Sequence, residues 1–337
     1  MSLPFVSVII LNYNGEKFIK DCLDSVKETN YDKDSHEVIV VDNASTDNSA
    51  DIIKSYIPWI RFVETGKNLG YSGGNNAGVD IAKGEYIVFL NPDTTVDKDW
   101  LLELVKVMES DQNLGACSSK ILYSKDRTKI NTIGGFWSIL GLSGSLGGDK
   151  ETDSINEPVN TFYPTGCSMI MNKELYTSLG RFDNDYFLYC EDPDMGWRLW
   201  DNGYKVRLAP KSLVYHLVSA SLRGLNKKSY GNLFYFYNTR NGLITIMKNA
   251  TAPDLLWMIP AYMISWSILS ILFLIRGKFT AFKSVTRGLI WPITNVAWLL
   301  KKRNKITHRR TGKAKAMMTG FFESLKILSS KVGKHFS

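Results

Sequence analysis

Glu191, Asp192 and Asp194 put three acids into four residues around Pro193, between the run Tyr186-Phe187-Leu188-Tyr189 and Trp197. Carboxylates this close repel one another, and aromatic neighbours exclude water from them. Both effects raise the pKa of at least one carboxyl, which suits a group that takes a proton near neutral pH. The same acids also suit the first turn of a helix, at the positive end of its dipole, and the two readings are compatible. Asp42 ends the run Val38-Ile39-Val40-Val41, placed to hydrogen-bond a ribose or base edge, or else to cap the next helix. Asp93 closes Asn91-Pro92-Asp93. A carboxylate there anchors a hard divalent cation that keeps sites for phosphate oxygens, or merely ends a proline turn. His216 follows Leu213-Val214-Tyr215; it is one of four histidines, two of which lie near the C-terminus. A lone histidine is more often structural than a ligand. The segment Asn68 to Gly78 is a glycine-rich approach to a helix, in which backbone amides (Gly73 among them) and the side chains of Asn68 and Asn75 can line a nucleotide pocket. It contains neither GxxxxGK[ST] nor a GxGxxG after the first strand, so phosphate-loop and dinucleotide-binding readings fall away.

These residues need elements to hold them. Val6 to Leu11 is a near-continuous apolar run, the mark of a buried parallel strand. Phe18, Ile19, Cys22, Leu23 and Val26 then fall at helical spacing within Glu16 to Thr29. Strand-like runs recur at Glu37–Val41, Ile60–Glu64 and Glu85–Leu90, with helices expected through Ile52 to Tyr56 and over Asn75–Ala82. This rhythm predicts an open α/β sheet with right-handed crossovers. Ligands of such sheets bind beyond the carboxyl ends of the strands, where Asn12, Asp42 and Asp93 fall. The middle, about Ala116 to Ser219, reads as less regular. A loop or flexible insert is expected at Gly134–Gly148, helices at Leu175–Leu179 and Asp192–Asn202, and separate strands at Lys205–Leu208 and Leu213–His216. Tyr230 to Lys248 reads as an aromatic-rich helix.

Charge divides the chain. From Arg276 onward there are fifteen Lys and Arg against the single acid Glu323, so the preceding residues are net acidic although the whole chain carries +8. Leu255–Ile275 has no charged residue and is long enough to cross a bilayer. Leu289–Leu300, interrupted by Pro292, is shorter and suits an interfacial or re-entrant helix. With basic residues flanking both stretches, anionic lipid headgroups are the expected partner of the tail, and nucleic acid is not. An apolar fraction of 44% with 22% charged residues excludes global disorder. Four isolated cysteines fit a reduced, cytosolic setting. The N-terminus lacks a signal-peptide pattern, so the main domain is expected at the cytoplasmic face of a membrane.

In combination, the VSVIILNYN opening, VVDNAS, NLGYSGGNNAG, the NPD strand end, FLYCEDPDMGWR and the later His216 resemble the family 2 glycosyltransferases, particularly their rhamnosyltransferase-like members. The resemblance covers about Pro4 to Asn249. It implies a GT-A fold: a Rossmann-like nucleotide-sugar half over 1–115, an acceptor and catalytic half over 116–250, and a hydrophobic, basic, membrane-associating helical tail over 251–337. Asn12 and Asp42 match positions that hold the nucleoside. Asp93 matches the metal-binding acid of a DXD-like motif whose first position is here Asn91, and His216 matches a position that completes the metal site for Mg2+ or Mn2+. Asp192, with Glu191 beside it, matches the general base. Thr165 and Gly166 resemble the segment lining the acceptor side, and Arg240-Asn241 a pair common before the tail. The implied reaction is a single inverting displacement from a nucleotide-sugar donor onto a lipid-linked or other membrane-associated glycan. A nucleotidyltransferase, or a membrane-attached nucleotide-sugar-binding protein without turnover, is the alternative.

Overall fold

The structure is a computed structural model and describes residues 3–218, 227–305 and 310–334; His308 and His335 of the tail lie outside them. Strands β1 (Val6–Asn12), β2 (His36–Asp42), β3 (Ile60–Glu64) and β4 (Tyr86–Leu90) alternate with helices α1 (Ile19–Lys27), α2 (Ser49–Lys54) and α3 (Gly70–Ile81). Then come β5 (Thr94–Val96), α4 (Trp100–Glu109), β6 (Leu114–Tyr123), β7 (Asp126–Thr132), β8 (Gly135–Trp137) and β9 (Ser143–Ser145). They are followed by β10 (Ser168–Asn172), α5 (Lys173–Ser178), α6 (Glu191–Asp201) and β11 (Lys205–His216). The remainder is helical: α7 (Lys227–Asn249), α8 (Ala252–Ile275), α9 (Phe279–Thr294), α10 (Val296–Lys305) and α11 (Phe321–Lys334).

The main sheet runs β3-β2-β1-β4-β10-β6-β11-β5, with β7 beside β6. β3, β2, β1 and β4 are mutually parallel, and β10 is inserted antiparallel between β4 and β6. The apolar runs serve both faces of this sheet. Val6, Val8 and Ile10 of β1 pack with Ile19, Cys22 and Leu23 of α1, while Ile9 and Leu11 pack with Val79 of α3 and the helices behind it. That alternation is the pleat expressed as two cores, each buried aliphatic side chain contributing about 1.5–3 kcal/mol. α3 sits unusually close to the sheet. A Cβ on Gly78 would lie 2.5 Å from Ile9 Cγ2 and 3.1 Å from Val41 Cγ2, so only glycine permits this approach.

Four expectations need correction. The glycine-rich segment is not a loop leading to a helix at Asn75: the helix already begins at Gly70, and its Gly74 and Gly78 face Leu11 and Ile9 of the sheet, where they admit close packing. Gly134–Gly148 is not a flexible insert but the hairpin β8–β9, whose Trp137 and Leu142 are fully buried against Phe162 and Trp197. The two strands over 205–216 are one strand, β11, with a register shift between Ala209 and Leu213 where Pro210 cannot donate to the ladder. Finally, the middle is as regular as the first hundred residues, since β6 and β10 belong to the central sheet.

Candidate active site

The carboxyl ends of the strands converge. At the end of β1, Asn12 Nδ2 donates to Asp42 Oδ1 (2.9 Å), Ser45 Oγ (3.1 Å) and Ser49 Oγ (2.9 Å). Asp42 Oδ2 accepts from the Ser45 amide at 3.0 Å. Asn12 is fully buried, so it braces the turn after β2. Asn43 links that turn to the next one. Its amide donates to Asn68 Oδ1 (3.0 Å) and the Gly70 carbonyl (3.2 Å), and its own oxygen accepts from the Leu69 N–H (2.9 Å). Asn12, Asp42 and Asn68 are thereby gathered on one rim. Asn75 lies further along α3, buried, with its amide donating to the Tyr71 carbonyl. Gly73 lines a separate hollow of about 910 Å³ between α3, the 179–185 turn and α10.

Pairing of β5 with β11 sets the next group. Thr94 stands opposite His216, and the Leu217 amide donates to the Asp93 carbonyl at 3.0 Å. This brings His216 Nε2 to 3.3 Å from Asp93 Oδ1, both side chains largely buried. His216 Nδ1 faces Asn131 Oδ1 at 3.2 Å. Asn131 thus orients the ring with Nε2 on the Asp93 side, as a metal-ligating imidazole is held by a partner on its other nitrogen. A carboxylate oxygen and an imidazole nitrogen side by side fit a divalent cation whose other positions go to phosphate oxygens and water. Among the described residues no third His, Cys, Asp or Glu joins them.

The base candidate is held from the opposite side of the same strand ends. The Asn91 amide donates to the Cys167 carbonyl (2.9 Å), the Thr165 amide to Ser118 Oγ (2.9 Å), and the Gly166 amide to Asp192 Oδ2 (3.3 Å). Tyr71 closes the knot, its hydroxyl donating to the Gly166 carbonyl (2.6 Å) and its amide to the Phe187 carbonyl (2.6 Å). Asn91, Thr165, Gly166 and Asp192 therefore share one cluster. Burial pushes the Asp192 carboxyl up to about 7, against the opposing pull of the Gly166 N–H. Burial, then the neighbouring Asp192 charge, lifts Glu191 well above the ordinary carboxylate range, and Glu191 Oε2 is buried with no hydrogen-bond partner among the described residues.

Asp194, the third acid, belongs to something else. It is fully buried, paired with Arg198 (2.7 Å) and Lys248 (3.0 Å) and bonded by Asn249 (2.7 Å). Despite its burial, those two cations hold its carboxyl far below the usual range. It anchors α6 to α7, so the acidic motif combines two carboxyls of raised pKa with a structural ion pair.

The sequence reading gave Arg240-Asn241 no mechanism, and the structure supplies one. Phe187, Tyr189 and Cys190 all have positive φ, and the Leu188 amide bonds the Tyr186 carbonyl in a tight γ-turn. Asn241 Nδ2 donates to the carbonyls of Tyr186 (2.9 Å), Leu188 (2.7 Å) and Tyr189 (2.8 Å), and Arg240 Nη2 to those of Asp185 (2.6 Å) and Tyr186 (3.1 Å). The pair fixes the strained turn that aims Glu191 and Asp192. Tyr71 and Asn131 were also missed: a tyrosine within NLGYSGG and an asparagine in β7 carry no sequence mark of these contacts.

Sheet order and strand-end carboxylates together define a GT-A glycosyltransferase fold. It is similar to that of the mannosyltransferase PcManGT from Pyrobaculum calidifontis, solved with GDP-Man and Mn2+ (TM-score 0.58, 20% identity, 94% of this chain and 86% of that one). Staphylococcus aureus TarS shares it over 80% of this chain and 43% of its own (TM-score 0.51, 19% identity). Residues 7–180, just over half of the chain, match the profile described as Glycosyl transferase family 2, and the chain belongs to that family. The matched segment contains Asn12, Asp42, Asp93, Thr165 and Gly166 and ends before Glu191 and His216. Among curated proteins, the Poly-beta-1,6-N-acetyl-D-glucosamine synthase of Staphylococcus aureus is 28% identical over 229 residues, 67% of this chain and 53% of that one. The Staphylococcus epidermidis protein of the same name is 27% identical over 225 residues, 66% of this chain and 52% of that one. The chain spans about half the length of the curated relatives it matches.

Proposed function

We propose that this glycosyltransferase moves a sugar from a nucleotide-sugar onto a membrane-associated, lipid-linked glycan at the cytoplasmic face of a membrane, with inversion at the anomeric carbon. Residues 1–250 carry the chemistry, the donor half over 1–115, and 251–337 the membrane contact. The observation that carries the reading is Asp192, held on the Gly166 amide with its carboxyl near neutrality. In the reaction Asp192 takes the proton of an acceptor hydroxyl, and the freed oxygen attacks the anomeric carbon. The bond to the diphosphate breaks on the far side, and the nucleoside diphosphate leaves with the electron pair. Asp42 and the Asn68 turn hold the nucleoside. Asp93 and His216 would hold Mg2+ or Mn2+, which when bound neutralises charge on the diphosphate. The motifs resemble those of rhamnosyltransferase-like members, whereas the curated relatives are named as synthases of an N-acetylglucosamine polymer. A donor panel must therefore include both deoxyhexose and N-acetylhexosamine nucleotides.

The test is nucleoside diphosphate release by the full chain with lipid extract, over that panel, with and without Mn2+ or Mg2+. One donor is expected to be turned over in a cation-dependent way. Asp192→Asn is expected to lower turnover about 10²–10⁴-fold while leaving donor affinity within about twofold. Weakened donor binding with little change in turnover would make Asp192 a binding residue, and release of pyrophosphate would replace the reaction class.

A further inference from the structure

α8 is apolar nearly all round, and one of its faces is left uncovered. Its exposed positions recur every three to four residues and form one face, and the large side chains on that face are Leu256, Trp257, Ile264, Ile268, Ile271, Leu274 and Ile275, exposed by 37% to 80%. No polar residue stands among the exposed positions. The polar atoms are on the inner face. Tyr262 donates its hydroxyl to the Thr239 carbonyl (2.7 Å), Ser270 meets Thr286 (3.2 Å), and Ser265 is buried. A soluble helix would carry these faces the other way round.

Length alone would let this helix cross a bilayer, since 24 residues span about 36 Å. Its packing does not. The inner face is seated on the protein from Met258 in the second turn to Phe273 in the last, where the Phe273 ring lies 5.0 Å from Tyr235. The same cluster contains Trp137, Phe162 and Trp197 of the catalytic half. A perpendicular helix would draw that half, with its hydrogen-bonded backbone and its α6 ion pairs, into hydrocarbon. Beyond the C-terminus of α8, Lys278, Lys283 and Arg287 are exposed, and there is no acid between Arg276 and Leu300.

We infer that α8 lies in the plane of a single leaflet, its isoleucine stripe among the acyl chains and Lys278, Lys283 and Arg287 at anionic headgroups. The protein is then a monotopic membrane protein whose catalytic half rides on the surface. This rests on the membrane reading above and adds its geometry.

The experiment places single cysteines at Leu256, Ile264, Ile271 and Ile275 in the full chain. All four native cysteines are buried, so an environment-sensitive thiol label goes to the introduced site. The labelled proteins are mixed with phosphatidylcholine vesicles with or without 30% (an assay setting of about one lipid in three) phosphatidylglycerol. They are floated, and quenched by lipids carrying nitroxides at different acyl depths. Flotation is expected to rise at least about tenfold with the anionic lipid, and all four labels are expected at one shallow depth. A depth profile that peaks at Ile264 and falls towards both ends would overturn the in-plane geometry while leaving membrane association standing. Absence of flotation by the unlabelled wild-type chain on either vesicle would overturn both. If that chain instead formed concentration-dependent dimers in light scattering, the stripe would belong to a second copy.

Discussion

Asp192 and Glu191 show how one acidic motif acquires two protonation behaviours at the scale of single residues. Burial lifts both, yet Asp192 also has the Gly166 N–H, which favours its charged form and leaves it titrating at about 7. The unfolded chain releases that proton near the ordinary 3.8. Between those two values the folded state holds a proton that the unfolded state has lost, so stability falls as pH rises through this window. In the base role proposed for Asp192 activity would run the opposite way, because only the deprotonated carboxyl accepts a hydroxyl proton. Turnover at saturating donor is therefore expected to climb about tenfold per pH unit below a midpoint near 7 and to flatten above it, with the limb missing in Asp192→Asn. A wild-type profile flat from about pH 5.5 to 8 would remove Asp192 from the base role. Much at this scale was legible in the sequence. A buried parallel strand reads as an apolar run, so the polar residue that ends it stands out, as Asn12 and Asp42 do, and as Asp93 does three residues beyond β4. Asp194 was not separable from its neighbours, because its partners Lys248 and Asn249 arrive from more than fifty residues away.

At the scale of elements, the turn before α6 stores strain that another helix must offset. Three non-glycine residues of positive φ in four cost about 1–3 kcal/mol each. Gly70, at φ +70, touches the same turn so closely that a Cβ would lie 2.3 Å from the Phe187 carbonyl oxygen. Asn241 answers with two N–H groups shared among three carbonyls. Asn241→Asp keeps the shape of the side chain but turns donors into acceptors facing carbonyl oxygens. It is expected to lower urea stability by about 1–3 kcal/mol and turnover by roughly 10²-fold, with donor affinity little changed. Asn241→Ala should fall between Asp and wild type in stability. A wild-type-like Asn241→Asp enzyme would show that the turn holds itself. None of this was readable beforehand: helical periodicity locates α7, but a side chain that caps a distant loop leaves no periodic trace. The same blindness hid the β8–β9 hairpin, whose glycines look like a linker until Trp137 finds its partners.

The whole molecule ties the tail into the catalytic half at several independent points. The Thr319 amide donates to the Trp137 carbonyl (2.8 Å), Asp201 Oδ1 accepts from the Ala314 amide (3.0 Å), and Arg303 and Arg310 cap the carbonyls of Met247 and Lys248. Lys302 reaches Asp183, which also pairs with Lys248. Beneath these bonds, Trp137, Phe162, Trp197, Leu243 and Ile246 are covered by α8 and α9. At about 1.5–3 kcal/mol per apolar side chain re-exposed, losing that cover costs as much as the whole stability of an ordinary domain, about 5–15 kcal/mol. A chain cut after Ala250 is therefore expected to lose its cooperative thermal transition and to aggregate, although it retains the full set of candidate site residues. Lys248→Met tests a different joint, the α6–α7 ion pair that lies within residues 1–250. It leaves Asp194 with one cation instead of two, and is expected to cost about 3–5 kcal/mol in chemical denaturation. A soluble, monomeric 1–250 fragment melting within a few degrees of the full chain would show that the tail is an appendage. It would also break the link between the lipid-facing helix and the turn that aims Asp192, since α7 holds both: Asn241 grips the turn, and the Thr239 carbonyl, two residues earlier, receives Tyr262 of α8.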